Sequence, residues 1–206
     1  MIKVLCFGDS NTWGYSPKNG QRLPLHARWP GVLGNLLGDN FQVIEEGQPG
    51  RTNYRNATEF GLQRGIEALL EKVSQQQPQW LVMMLGTNDL YPAFELSAEQ
   101  VAADLQRMIV ELRTHCLSLQ IAAPYVFVLA PPTVNNNGNF AKYFRGASEK
   151  SKQLAKHYQV VAKSLECGFL DVGKLVMVDP QDGVHLNGAE HRVLASAVAD
   201  KLRQLI

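Results

Sequence analysis

The chain has 206 residues, with 20 Lys and Arg against 19 Asp and Glu and a formal charge of +1. A balance this even carries no global field toward nucleic acid or an anionic membrane, and no apolar stretch approaches the ~20 residues of a membrane span. With 45% hydrophobic and 19% charged residues it reads as globular, and long enough to bury a core without disulfide or metal staples.

Ile2 to Phe7 is a short apolar run ending at Gly8. It predicts a buried strand and is too short for a signal-peptide core. Trp29-Pro30 opens a helix whose stripe is Val32, Leu33, Leu36 and Leu37, stopped by Gly38. Phe41 to Ile44 predicts a second strand. Leu62, Ile66, Leu69, Leu70 and Val73 recur at helical spacing. Trp80 to Leu85 is apolar throughout, as a strand covered on both faces should be. Ser97 and Gln100 form a capping box for a long helix through Val101, Leu105, Met108, Ile109 and Leu112. Tyr125 to Leu129 predicts the fourth strand, a helix spans about Phe144 to Leu165, and Gly168 to Val172 is the fifth strand. Between them Asn135 to Asn139 reads as a mobile loop. The last helix starts at Asn187, with a box to Glu190, and buries Val193, Leu194, Ala197, Val198 and Leu202.

Five strands alternating with helices imply a parallel sheet wrapped on both faces. No linker or internal repeat divides the chain, so residues 1–206 are expected to form one α/β domain. Cys6, Cys116 and Cys167 are widely spaced and form no CxxC pair. They fit buried thiols in a reducing compartment, and the expected location is the cytoplasm. Neither nucleic acid nor a membrane is an expected partner. The small net charge leaves homo-oligomerisation open.

Open α/β sheets bind ligands at the carboxyl ends of their strands. Four polar clusters fall there: Gly8-Asp9-Ser10-Asn11-Thr12, Gly47-Gln48-Pro49-Gly50-Arg51-Thr52, Gly86-Thr87-Asn88-Asp89 and Asp182-Gly183-Val184-His185. Each alone fits a turn or a cap. Together they supply a hydroxyl nucleophile, a base, an acid to orient it and oxyanion donors, the inventory for acyl transfer at a serine. Ser10 needs a base to attack at neutral pH, and His185 has about the right reference pKa. Asp182 shares a tight turn with His185 and is preferred to Asp171 and Asp179 as the orienting acid. Oxyanion donors would be the N–H groups of Ser10 and Gly50 and the amide of Asn88. Asp9 and Asp89 are assigned to structure, Asp9 accepting loop amides and Asp89 capping the turn after the third strand.

The set Gly8-Asp9-Ser10, Gly50, Gly86-Thr87-Asn88-Asp89 and Asp182-x-x-His185 resembles the four blocks of the SGNH (GDSL-type) hydrolases, in order and spacing, from residue 4 to residue 188. Leu-Cys-Phe-Gly-Asp-Ser-Asn-Thr-Trp-Gly and Met-Leu-Gly-Thr-Asn-Asp are similar to its aryl esterase and acyltransferase branch. The resemblance implies a flavodoxin-like three-layer α/β/α sandwich with strand order 2-1-3-4-5. It implies a serine esterase acting on short-acyl or aryl esters through an acyl-enzyme, with transfer to alcohols in some members. Pro49 stands where the family more often has Ser, and the loop Ser16 to Ala27, expected to border the pocket, is shorter than in its relatives.

Trp13, Tyr15, Tyr91, Phe94 and Phe140 lie in rim loops. Trp13, Tyr91, Phe94 and Phe140 are the candidate substrate contacts. His26, His115, His157 and His191 have no companions at metal-ligand spacing, and His191 is expected to face solvent. The chemistry requires no metal or cofactor. A carbohydrate O-deacetylase would share every one of these catalytic residues. A phosphate- or nucleotide-binding module could use Ser10-Asn11-Thr12, but it leaves Asp182, His185 and Asn88 without a task. No G-x-S-x-G is present, which sets the nucleophile-elbow hydrolases aside.

Overall fold

The computed structural model describes residues 1–205, the side chain of Ala141 excepted. Strand β1 (Ile2–Gly8) passes into the single-turn helix α1 (Ser10–Trp13). Helix α2 (Trp29–Leu37) leads to β2 (Phe41–Gly47). Two short strands follow, β3 (Arg51–Thr52) and β4 (Gln63–Arg64). Then come α3 (Ile66–Gln76), β5 (Trp80–Met84), α4 (Ala98–Ser118) and β6 (Tyr125–Ala130). Helix α5 (Ala147–Ser164), β7 (Gly168–Asp171) and α6 (Gly188–Leu205) complete the order.

The five longer strands form a parallel sheet in the order β2-β1-β5-β6-β7. This is the expected three-layer sandwich with its 2-1-3-4-5 order. Side-chain alternation divides the strands between two cores. Leu5, Phe7, Leu81, Met83, Val126 and Val128 pack under α3, α4 and α5. Val4, Cys6, Val82, Met84, Phe127 and Leu129 pack under α2 and α6. Both faces are dry, which explains why these strands read as continuous apolar runs. Fully burying one such side chain stabilises by about 1.5–3 kcal/mol. The chain reverses direction across the sheet between β1 and β5. That switch point opens a crevice above their carboxyl ends, and Ser10 and Asn88 stand just beyond them.

The expected box at α4 is formed in both directions: Gln100 N–H donates to Ser97 Oγ and Ser97 N–H to Gln100 Oε1. At α6 it is half formed. Asn187 Oδ1 accepts from the amides of Ala189 and Glu190, and Glu190 returns no side-chain bond among the described residues. Helix α5 starts three residues later than expected, because Gly146 at φ +76° is not helical. Leu62 lies outside α3. It belongs to the segment between β3 and β4, which pair in parallel as a ribbon of their own.

His191 does not face solvent. It lies on the inward face of α6 with Leu194, Ala195, Val198 and Leu202, fully buried, and its Nδ1 accepts the Trp29 N–H at 3.2 Å. Its spacing of three, four and seven from that stripe carries the signal. Burial first, and the nearby His185 second, push its pKa down to about 4. The unfolded chain takes up this proton near pH 6.5, whereas the folded one waits until about 4. Stability from this group is therefore lost as pH falls through that window. A His191→Gln variant should show a shallower loss of melting temperature across it.

Candidate active site

The turn after β1 is built from short polar side chains. Asp9 caps α1, its carboxylate accepting the Asn11 N–H at 2.9 Å, and this sets Ser10 at the first helical position. Burial lifts the Asp9 carboxyl to about 6, against the pull of that amide. Asn11 reaches across the crevice. Its Nδ2 donates to the Val184 carbonyl at 3.1 Å, and its Oδ1 accepts the Leu186 N–H at 2.9 Å. Asn11 thus staples the Ser10 turn to the loop on either side of His185.

Ser10, His185 and Asp182 form one hydrogen-bonded line. Ser10 Oγ lies 2.9 Å from His185 Nε2, and His185 Nδ1 lies 2.9 and 3.0 Å from the two Asp182 oxygens. A carboxylate only accepts, so Nδ1 carries the hydrogen and Nε2 turns its lone pair to the Ser10 hydroxyl. The backbone amides of Val184 and His185 also donate to Asp182 Oδ1, at 2.9 and 2.7 Å. Burial alone would raise the Asp182 carboxyl, but His185 and these amides outweigh it and hold it below the ordinary carboxylate range. All three residues are buried, at 7%, 4% and 2% exposure for Ser10, His185 and Asp182.

The imidazole is fixed from its faces as well. Tyr15 stacks on it with ring centroids 4.1 Å apart, and Phe140 meets it edge-on at 5.1 Å. The Asn135 to Asn139 segment, expected to be mobile, is tied to the Asp182 turn. Asn135 N–H donates to Gly183 O, Asn139 N–H to Gln181 O and Phe140 N–H to Asp182 O, at 2.8, 2.8 and 3.0 Å. Asp179 accepts from the amides of Gln181 and Asp182, and Asp171 pairs with Lys174, so neither competes for His185.

The opposite wall carries Gly50 and Asn88. Gly50 sits at φ +77°, and a Cβ there would lie 2.0 Å from the Gly61 carbonyl, so only glycine fits. Asn88 Nδ2 donates one hydrogen to the Arg51 carbonyl at 3.0 Å. Asp89 does not cap its own turn. Its two oxygens accept the Asn53 N–H at 2.9 and 3.2 Å and so anchor the far end of the Gly50 loop. Burial pushes the Asp89 carboxyl up to about 7, partly offset by that amide.

Ser10, Gly50, Asn88 and His185 line one cleft of about 590 Å³. Its walls are Tyr15, Phe60, Leu62, Tyr91, Phe140, Tyr143, Phe144 and Val184, with Pro49 and Gly61 beside Gly50 and Glu59 the one carboxylate. Of the expected contacts, Tyr91 and Phe140 line it. Trp13 and Phe94 do not. Trp13 stands behind Tyr15, at 6.5 Å between centroids, with the Arg22 guanidinium 5.5 Å from its ring, and Phe94 braces Tyr91 edge-on at 5.6 Å. The loop Ser16 to Ala27 contributes no lining residue either. Sequence reasoning missed Phe60, Leu62 and Tyr143. Leu62 was absorbed into a helical pattern, and nothing local marks the segment around Phe60 as a cleft wall.

The GDSL-like Lipase/Acylhydrolase family model matches residues 6–193. A carbohydrate acetylesterase from Sinorhizobium meliloti is 31% identical, with both chains covered completely and a TM-score of 0.94. The aryl esterase of M. smegmatis is also 31% identical over all of both chains, with a TM-score of 0.91. The thioesterase 1/protease 1/lysophospholipase L1 of Escherichia coli is 24% identical over 98% of this chain and 84% of its own. The polar line at the switch point and these likenesses agree: the chain belongs to the GDSL-like lipase/acylhydrolase family, and its activity is that of a carboxylic ester hydrolase.

Proposed function

We propose that the chain hydrolyses small, uncharged carboxylic esters, short-acyl or aryl, with Ser10 as nucleophile, His185 as base and Asp182 as its orienting acid. The observation that carries this reading is the Asp182–His185–Ser10 line opening into a cleft walled by aromatic rings. Ser10 Oγ attacks the ester carbonyl as His185 Nε2 takes its proton. Asp182 favours the imidazolium that forms. The N–H groups of Ser10 and Gly50 and the free hydrogen of Asn88 Nδ2 receive the oxyanion. Collapse expels the alkoxide, which takes the proton from His185 and leaves an acyl ester on Ser10. Water, deprotonated by His185, attacks that ester, and Ser10 departs with its proton. An alcohol in place of water would give acyl transfer. Ser10 and His185 are 175 residues apart in sequence, so the reaction needs the sheet from β1 to α6 as one catalytic unit.

A second reading is O-deacetylation of carbohydrates. The exposed rings of Phe60 and Tyr143 at the cleft mouth offer stacking faces for a sugar. The similarity to a carbohydrate acetylesterase supports it equally. Rates on p-nitrophenyl acetate, p-nitrophenyl octanoate and an acetylated xylo-oligosaccharide separate the readings. Acetate well above octanoate supports the small-ester enzyme. A dominant rate on the oligosaccharide replaces it with the second reading, and a preference for octanoate contradicts both.

Glu59 adds a charge expectation. As the one carboxylate on the lining, it should disfavour an ester that carries a carboxylate of its own. Its effect is that of a solvent-facing charge, about fivefold. A Glu59→Gln variant should narrow by that amount the kcat/KM gap between p-nitrophenyl acetate and the anionic mono-p-nitrophenyl succinate.

A further inference from the structure

Arg51 is a cation with almost no contact with water, at 4% exposure, directly under the wall that holds Gly50. Both terminal nitrogens of its guanidinium have partners. Nη1 donates to the carbonyl of Gly8, at 3.0 Å, and to that of Glu46. Nη2 donates to Gln48 Oε1 at 3.0 Å. Its guanidinium carbon lies 4.1 Å from the centroid of the Phe7 ring. Its own carbonyl accepts from Asn88 Nδ2 at 3.0 Å. These contacts join four chain segments: the end of β1 two residues before Ser10, the end of β2, the Gln48–Gly50 loop, and the turn after β5.

We propose that Arg51 is a positioning residue for ester hydrolysis, holding the Ser10 amide, the Gly50 amide and the Asn88 side chain in one fixed frame. The inference rests on the oxyanion roles proposed above. Arg51 touches no substrate atom, because it does not line the cleft and its terminal nitrogens point to the Gly8 and Glu46 carbonyls and to Gln48. Its action goes through the donors it holds. The carbonyl contact fixes one Asn88 hydrogen, which leaves the other directed by geometry rather than by rotation. The guanidinium contacts set the height of the Gly50 loop relative to the Ser10 turn. A planar fork spans several acceptors at once, whereas an ammonium is a point charge and cannot reach them all. Removing the charged partner also takes one hydrogen bond from each of the Gly8 and Glu46 carbonyls it served.

The test uses Arg51→Met and Arg51→Lys in the full chain. Active sites are counted by stoichiometric fluorophosphonate labelling, so that unfolded protein drops out of the rate. Per labelled site, Arg51→Met should lower kcat on p-nitrophenyl acetate by about 10- to 100-fold, as a small misplacement of catalytic groups does. KM should stay within about twofold, because ground-state contacts are untouched. Arg51→Lys should recover part of the loss. In an Asn88→Ala background the same change should cost far less, since both act on one donor set. Unchanged kcat per site in Arg51→Met overturns the proposal, and so do losses that multiply in the double variant. If Arg51→Met does not fold, Arg51→Lys and its cycle with Asn88→Ala carry the test alone. Full activity in Ser10→Ala would instead refute the underlying catalytic reading, whatever Arg51 does.

Discussion

Replacing Ser10 with Ala should abolish ester turnover, with kcat falling on the order of a millionfold. The change removes one oxygen, and among the described residues the only side-chain partner of that oxygen is His185 Nε2 at 2.9 Å. The Asp9 cap and the Asn11 staple use other atoms, so the fold should survive and the melting temperature should barely move. The loss is large because the reaction divides into two steps only if an acyl group can be held covalently. Steady-state kinetics with p-nitrophenyl acetate and a thermal melt on the same preparation check both halves. Residual activity above about one hundredth of the parent would show that another group carries the reaction.

Asn88→Ala is the second large effect. It removes an oxyanion donor, and that typically costs on the order of 100- to 1,000-fold in turnover. It also frees the Arg51 carbonyl, which then lacks the 3.0 Å bond that steadies the loop. Both losses fall on the transition state, since the charge on the carbonyl oxygen is not yet formed in the bound ester. kcat should fall and KM should stay nearly constant. A KM increase with kcat preserved would instead make Asn88 a ground-state contact. Acylation by a single turnover of p-nitrophenyl acetate separates the two outcomes.

The central strands β1, β5 and β6 were legible because they are apolar on both faces, and Ser97 announced its helix through a box that the structure forms in full. The residues of the Asp182–His185–Ser10 hydrogen-bonded line were legible for a different reason. Ser10 lies just past the end of β1, and a carboxylate three residues before a histidine, just ahead of the last helix, can share its turn. What the sequence could not show is how the clusters are held together. Asn11 reads as an ordinary polar residue after a serine, and its two bonds across to Val184 and Leu186 exist only once the sheet is assembled. Arg51 reads as a loop charge, yet the fold buries it. Tyr15 was noticed as a rim aromatic, but its stacking on His185 depends on the α1 turn bringing the chain back. Phe60 and Tyr143 come from separate loops that meet only over the cleft.

The buried carboxyls add a layer that spacing alone hides. Asp89 is lifted to about 7 and Asp9 to about 6, both chiefly by burial, while Asp182 is held down by its donors. The three aspartates around the cleft thus have their charge opposed by burial in two cases and favoured by donors in the third. Only Asp182 is held as a carboxylate against a histidine ring, and that is the state an orienting acid requires.

The central claim is that the acyl group passes through Ser10. Mixing the enzyme with p-nitrophenyl acetate, quenching in acid within the first turnovers and mapping the protein by mass spectrometry tests it most directly. The account predicts one acetyl group on the peptide that contains Ser10, absent from Ser10→Ala and discharged by added hydroxylamine. An acetyl group that accumulates and discharges at catalytic rates on any other residue would contradict it.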